Sequence, residues 1–404
     1  MLNRLTAISE MGTTPLATYS YDDLSRRTAL ALGNATSTAY AYDTRSLVSG
    51  LSHNLGGTAQ DVSFTYTRNQ VREIVTHSWS NDIYQWAGYT NGTRNYASNA
   101  LNQYTTAAGV AITHDANGNL SGDGTWTYGY DLDNRLTSAS RAGLAATLAY
   151  DTDGRLRQTT IGGVVTNLLY DGNRLLAEYD AAGNLLRRYV HGPGVDDPLV
   201  WYEGAGTTAK SWLYKDHAGS VLATATSAGT STATLTYGPY GEPNVTTGVR
   251  FRYTGQQLLG PLNLYYYKAR MYSPALGRFL QTDPVGYEDD MNMYAYVGNN
   301  PVNATDPSGM WLETAWDIAN IGIGAVSLYN NVRDGNWGWA AVDAGGLVYD
   351  TLATAVPFLP AGASAGLKSL RAGNSVRTSF NVASDTIATA RQADRVTSVA
   401  PTVN

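Results

Sequence analysis

The sequence predicts a mainly β protein, an antiparallel array of hairpins followed by a small α-helical segment at the C-terminal end. Three observations carry that prediction. A short frame, Tyr-Asp-x-x-Asn/Gly-Arg-Leu, repeats along the chain, with its tyrosines stepping by 20 residues twice, from Tyr130 to Tyr150 to Tyr170. Aromatic usage is lopsided, 29 Tyr against 5 Phe, which favours strands and rings whose hydroxyl stays wet or paired. Gly is abundant at 42 residues while only 15% of the chain is charged, as many turns over a semi-polar surface require.

The frame reads Tyr130-Asp131-Leu132-Asp133-Asn134-Arg135-Leu136, then Tyr150-Asp151-Thr152-Asp153-Gly154-Arg155-Leu156. One residue shorter, it is Tyr170-Asp171-Gly172-Asn173-Arg174-Leu175, and variants start at Tyr21-Asp22, Tyr42-Asp43, His114-Asp115 and Tyr179-Asp180. Its chemistry is that of a hairpin. A strand ends in Tyr, Asp caps the turn through local backbone N–H groups, Gly or Asn takes a positive-φ position, and Arg-Leu begins the return strand. Between frames the residues alternate with period two, as in Ala145-Ala146-Thr147-Leu148-Ala149-Tyr150. Two strands per ~20 residues give on the order of thirty strands before Met310, expected in one long antiparallel sheet that closes or curls to hide its edges.

Composition switches near Met310. Residues 1–310 hold 27 of the 29 Tyr; residues 311–404 hold Tyr329 and Tyr349. Ile318, Ile321, Ala325 and Leu328 recur at helical spacing, and a second helix is expected from about Trp337 to Val356, ended by Pro357 and Pro360. The expected organisation is a β unit over 1–310, a helical segment over 311–372 and a weakly ordered Ser/Thr/Ala/Arg-rich tail over 373–404.

Several function classes are excluded. Without cysteine there are no disulfides, thiolate zinc sites or cysteine nucleophiles. The five histidines show no metal-ligand spacing, so no metal or other cofactor is expected. A net charge of −6 argues against nucleic acid as a main partner. No run of ~18 apolar residues occurs, so stable membrane insertion is not expected. Met1–Leu5 lacks an apolar core and a small-residue cleavage site, so no cleaved secretory leader is expected.

The densest chemical signal lies over residues 264–310. Leu264-Tyr265-Tyr266-Tyr267-Lys268-Ala269-Arg270 leads to Gly277-Arg278-Phe279-Leu280, and two Asp-Pro-x-Gly units, starting at Asp283 and Asp306, stand 23 residues apart. With Asp216-His217-Ala218-Gly219-Ser220 and Tyr237-Gly238-Pro239-Tyr240-Gly241, this text resembles the Rhs/YD-repeat family, in particular its Rhs-associated core and the related C components of Tc toxins. The resemblance covers about residues 15–310. It implies a hollow β-shell wound from YD hairpins around a toxin or pretoxin segment. It also implies an aspartyl self-cleavage apparatus, two carboxylates with a nearby arginine, which falls on Asp283, Asp306 and Arg270. In the family the second Asp-Pro-x-Gly is followed by Leu, and the cut comes just after it; here Met310 takes that place, and the cut is expected between Met310 and Trp311. Met is unbranched and similar in volume, so the site is expected to accept it. Two carboxylates held close do not both ionise, so one serves as acid while the other activates water. Asp-Pro-x-Gly is also an ordinary turn sequence, and Arg270 an ordinary strand-face cation; the pairing of the units and the composition break favour the catalytic reading.

Other motifs dissolve on inspection. Gly362-Ala363-Ser364-Ala365-Gly366 matches a nucleophile elbow, but no His follows His217 to act as its base. Asp115-Ala116-Asn117-Gly118-Asn119 starts like a calcium loop, but Leu120 and Trp126 stand where Gly and Glu are required. The sequons at Asn34, Asn91, Asn244 and Asn303 are read as coincidences, Arg278 as structural and His217 as a surface or capping residue. The segment 311–404 resembles, more loosely, the helical pretoxin stretches that follow Rhs shells.

The resemblance therefore implies a toxin-encapsulating shell fragment that cleaves only itself, without turnover on external substrates. Its implied partners are its own C-terminal segment as cargo, upstream shell or delivery proteins such as a secretion spike, and an immunity protein. It would be made in the bacterial cytoplasm and then exported or delivered. Two alternatives are a non-catalytic carbohydrate-binding surface module with exposed aromatic faces, and a truncated, inactive orphan.

Overall fold

The computed structural model describes residues 4–310 and the backbone of residues 313 and 314. The expected helices over 311–372 and the tail over 373–404 lie outside the described residues. Up to Thr305 there are 28 strands, and helix is confined to four single 3₁₀ turns. No described helix is long and apolar enough to cross a membrane.

The strands form antiparallel meanders in which each pairs only with its sequence neighbours. Seven strands from Ala7–Glu10 to Ile74–Trp79 make one sheet; thirteen from Thr113–His114 to Ser231–Thr234 make another. One continuous sheet was the expectation, and it breaks over residues 80–112. There the Tyr-Asp frame lapses, and the chain forms a single 3₁₀ turn at Asp82–Tyr84, then a separate three-stranded sheet spanning Tyr96–Ala111.

Every Tyr-Asp pair among the described residues sits at a strand-to-turn junction, for reasons local to the frame. Asp131 Oδ1 accepts the N–H groups of Asp133 and Arg135 at 3.0 and 2.9 Å, and Asp151 does the same for Asp153 and Arg155. Asn134 and Gly154 take positive φ, 60° and 79°, as the turn requires. The other carboxylate oxygen binds the frame's arginine, at 2.7 Å for Arg135 and 2.8 Å for Arg155. Asn69 and Asn99 play the same part, accepting from Glu73 and from Leu101 and Gln103. Asx chemistry, rather than aspartate itself, is what the turn needs.

Successive frames are stitched together by the tyrosine. Tyr150 donates to the carbonyl of Leu136, Tyr130 to Leu120, Tyr42 to Arg27, Tyr21 to Leu5 and Tyr237 to Val221, all at 2.7–2.8 Å. The arginine of one frame lies over the tyrosine of the next: Arg26 over Tyr42, Arg135 over Tyr150, Arg155 over Tyr170. The frame's leucine supplies core. Leu136, Leu156 and Leu175 are fully buried in one apolar cluster with Tyr266, Met271 and Leu280.

A four-stranded sheet, Gln257–Leu259, Leu264–Tyr267, Arg270–Ser273 and Arg278–Phe279, is buried on both faces. Leu264, Tyr266 and Met271 face the leucines of the frames, whereas Tyr265, Tyr267, Tyr272 and Phe279 join Tyr253 and Tyr296 in a separate aromatic cluster. Covering on both sides explains why this Tyr-rich run lacks the usual alternation with polar residues.

Candidate cleavage site

Arg270 enters from a tight turn. Lys268 takes a positive φ of 60°, and its ammonium is anchored by Asp196 at 2.5 Å and Gln256 at 2.7 Å. The next N–H, that of Ala269, donates to the carbonyl of Ser308 at 3.1 Å, which ties this turn to the second Asp-Pro-x-Gly unit. Asp196 is 72 residues from Lys268, so no sequence spacing announces the anchor.

The structure brings the three sequence-predicted residues together. Arg270 Nη2 lies 2.7 Å from Asp283 Oδ2 and 3.4 Å from Asp306 Oδ2. Its Nε donates to the carbonyl of Gly309 at 2.5 Å and its Nη1 to that of Met293 at 3.1 Å. All three side chains are buried: Arg270 and Asp306 are 2% exposed and Asp283 8%.

Each carboxylate divides its work between two oxygens. Asp283 Oδ1 accepts Val285 N–H at 3.0 Å, and Asp306 Oδ1 accepts the N–H groups of Gly309 at 2.8 Å and Met310 at 3.1 Å. These are the turns the bare sequence suggests. The Oδ2 atoms are left to converge on one guanidinium nitrogen, which turn formation does not require. Gly309 cannot carry a side chain here: its φ is +71°, and a Cβ would meet the carbonyl oxygen of Tyr267 at 2.4 Å.

Burial dominates the electrostatics. It raises the carboxyl of Asp283 above its ordinary range, against the opposing pull of Arg270. Burial likewise lowers the Arg270 guanidinium, against the pull of Asp283, Asp306 and Asp289. Fully ionised, Arg270 with Asp283 and Asp306 would carry a net negative charge in a dry site; one proton retained on the pair neutralises it. Such a group can donate a proton and accept one, as amide hydrolysis demands.

The expected cleavage position lies at the edge of this group. Met310 N–H is held by Asp306, while Trp311 lies outside the described residues. Strand Ala304–Thr305 pairs antiparallel with Glu313–Thr314, and Met310 lies in sequence between the two.

Other predicted features settle differently. Arg278 stacks on Tyr104 at 3.5 Å and donates to the Asn102 carbonyl, away from the carboxylates. His217 is not a simple surface residue; its ring packs against Tyr66 at 4.7 Å and near His77 at 5.9 Å. Asn34, in a sequon, is buried and bonded to Tyr214. Asp115 Oδ1 caps its own turn through Asn117 and Asn119. No cluster of three or more potential metal ligands occurs among the described residues. Sequence reasoning missed the fully buried Glu178, which Arg250 grips with two hydrogen bonds of 2.9 and 2.7 Å.

Comparison with known proteins adds four likenesses. A family model described as the teneurin YD-shell matches residues 88–302. The tRNA3(Ser)-specific nuclease WapA of Bacillus spizizenii is 32% identical over 380 residues, covering 81% of this chain and 16% of that protein. The toxin subunit YenC2 of Yersinia entomophaga is 46% identical over 66 residues, 15% of this chain and 7% of that one. The chain thus spans about a sixth of the first relative's length and less of the second's. Among solved structures, TcdB2-TccC3-TEV superposes with a TM-score of 0.56 at 17% identity, covering 74% of this chain and 19% of that one. At that identity the superposition speaks for the fold.

Proposed function

Because the chain belongs to the YD-shell family of Rhs/YD-repeat proteins, we propose that it is part of a toxin shell that cuts its own backbone between Met310 and Trp311. The cut frees residues 311–404 as cargo. The observation that carries this reading is the convergence of Asp283 and Asp306 on one nitrogen of Arg270, with Asp306 also holding the Met310 N–H. In the reaction one carboxylate takes a proton from water, which attacks the Met310 carbonyl carbon. The partner carboxylic acid donates to the carbonyl oxygen, and the collapsing intermediate expels the Trp311 amine with a proton returned from the pair. Arg270 keeps one carboxylate ionised and holds the Gly309 carbonyl in place. A tethered bond needs no substrate affinity, so a slow dyad still goes to completion.

The intact mass of purified full-length protein tests this. The expected outcome is a C-terminal piece of roughly 10 kDa, from 94 residues of a 43.3 kDa chain of 404. Asp283→Asn and Asp306→Asn should each leave the chain whole, because Asn preserves the turn-forming oxygen but removes the charge that shares the proton. Arg270→Ala should slow or stop the cut, and Met310→Leu should leave it intact or faster. Folded wild-type protein that stays at full mass on prolonged incubation would sink the reading. Cargo identity aside, the partners in this reading are the chain's own C-terminal segment, upstream shell or delivery proteins and an immunity protein, and the product is exported or delivered from a bacterial cytoplasm.

A second reading, a non-catalytic carbohydrate-binding module, is favoured by one feature. A cavity of about 240 Å³ is lined by Tyr96, Tyr104, Tyr240, Arg94 and Glu242. Retention of an uncleaved chain on a polysaccharide, lost in Tyr240→Ala, would support it.

A further inference from the structure

We propose that Phe279 is a positioning residue for the self-cleavage centre: its ring fixes the plane of the Arg270 guanidinium and keeps water from its face, so that the cation stays aimed at Asp283 and Asp306. The proposal rests on the self-cleavage reading of the same site.

The guanidinium carbon stands 3.7 Å from the centre of the Phe279 ring, inside the distance at which a cation is attracted to an aromatic face. Around its edge the N–H groups already have acceptors in Gly309, Met293, Asp283 and Asp306. Hydrogen bonds hold the edge of the planar group; the ring holds its face. Phe279 is 1% exposed and is itself fixed by Tyr267, Tyr272 and Tyr296, whose centroids lie 5.7, 5.6 and 5.8 Å away in edge-on arrangements.

Composition makes the position stand out. In a cluster with five tyrosines, every hydroxyl is bonded. Tyr253 donates to Pro239, Tyr265 to Gly241, Tyr272 to Tyr240, and Tyr267 lies between Thr254 and Tyr296. Phe279 is the ring of that cluster without a hydroxyl, and it is the one whose face carries the guanidinium. An apolar face there removes competing water, which strengthens the field of Arg270 at both carboxylates.

The test compares full-length Phe279→Leu, which removes the aromatic face, with Phe279→Tyr, which keeps it; Phe279→Met stands in where the Leu variant does not fold. The Leu variant is expected to cut about tenfold more slowly or worse. Its pH–rate profile should move upward by about half a unit, because a loosened cation holds the Asp283 charge less well. The Tyr variant keeps the ring face over the guanidinium, so its pH–rate profile should stay at the wild-type position, while the added buried hydroxyl lowers only its stability. A purely packing role would lower the yield of folded protein without moving the profile; an unmoved profile, or a Leu variant that cuts like wild type, overturns the proposal. If wild-type protein never cuts, the self-cleavage reading fails on its own. The Asp283 carboxyl titration, followed by carbon NMR in wild type and Phe279→Leu, then decides: an upward shift supports the positioning role, and identical titrations refute it.

Discussion

At Tyr150 the hydroxyl donates to the Leu136 carbonyl at 2.8 Å while Arg135 lies over the ring face, so one side chain joins a turn to the strand that precedes it. Replacing it with Phe keeps the ring and the cation contact but strands an acceptor. Tyr150→Phe, measured by urea unfolding in the uncleaved Asp306→Asn background, should cost about 1 kcal/mol. Glu178 works at the same scale with more at stake. Arg250, Arg187 and the Tyr189 hydroxyl hold its buried carboxylate down to about 2, against 4.5 in an exposed chain. A group whose folded value is depressed stabilises above its unfolded value and loses that stability as pH falls through the window between them. Wild-type stability should therefore drop by about 3 kcal/mol more than that of Glu178→Gln between pH 5 and pH 2, read from urea midpoints. Asp283, whose folded value is raised, contributes with the opposite sign, its share fading as pH rises above the unfolded value.

Turns are the elements in which this sequence is most explicit. The Tyr-Asp frame forecast strand ends, Asx caps and positive-φ positions at 131–136 and 151–156 because all of that chemistry is local, within five residues. Asp151→Ala removes two backbone acceptors and the Arg155 partner, and should cost about 1–2 kcal/mol by thermal or urea unfolding. The convergence of Arg270, Asp283 and Asp306 was also legible, through family spacing. What holds them was not. Lys268 leans on Asp196, Leu156 N–H reaches the Tyr266 hydroxyl, and Glu178 meets Arg250, contacts between residues 72–110 apart that carry no periodic signature. The sheet break at 80–112 was missed for a related reason, since a lapse in a repeat has no residue of its own to mark it. In the second Asp-Pro-x-Gly turn, Gly309→Ala should stop or strongly slow the cut, because a methyl group at φ +71° drives into the Tyr267 carbonyl; intact mass against time is the check.

Across the described residues, the meander topology means that every strand of the two large sheets forms its backbone ladder only with its neighbours in sequence. Side chains join the two sheets: Leu16, Leu30 and Phe64 share one apolar cluster with Val200, Trp212 and Leu222, and the Trp212 indole N–H donates to the Leu16 carbonyl at 3.1 Å. The four-stranded sheet is held by packing on both faces. It is clamped between the leucines of distant frames and a tyrosine cluster, and it carries the arginine. The group of Arg270, Asp283 and Asp306 thus sits on a sheet covered on both faces.

The hairpin formed by Ala304–Thr305 and Glu313–Thr314 also behaves as a mechanical device. Its two free ends lie side by side, so tension between the strand before Asp306 and the chain after Thr314 opens it like a zipper, one pair at a time, which takes little force. In the uncut chain that opening ends at the loop, and the load passes to covalent bonds that no folding force can break. Under the proposed self-cleavage, hydrolysis of the Met310–Trp311 bond would remove that stop, and a modest pull would run this two-pair ladder off its end.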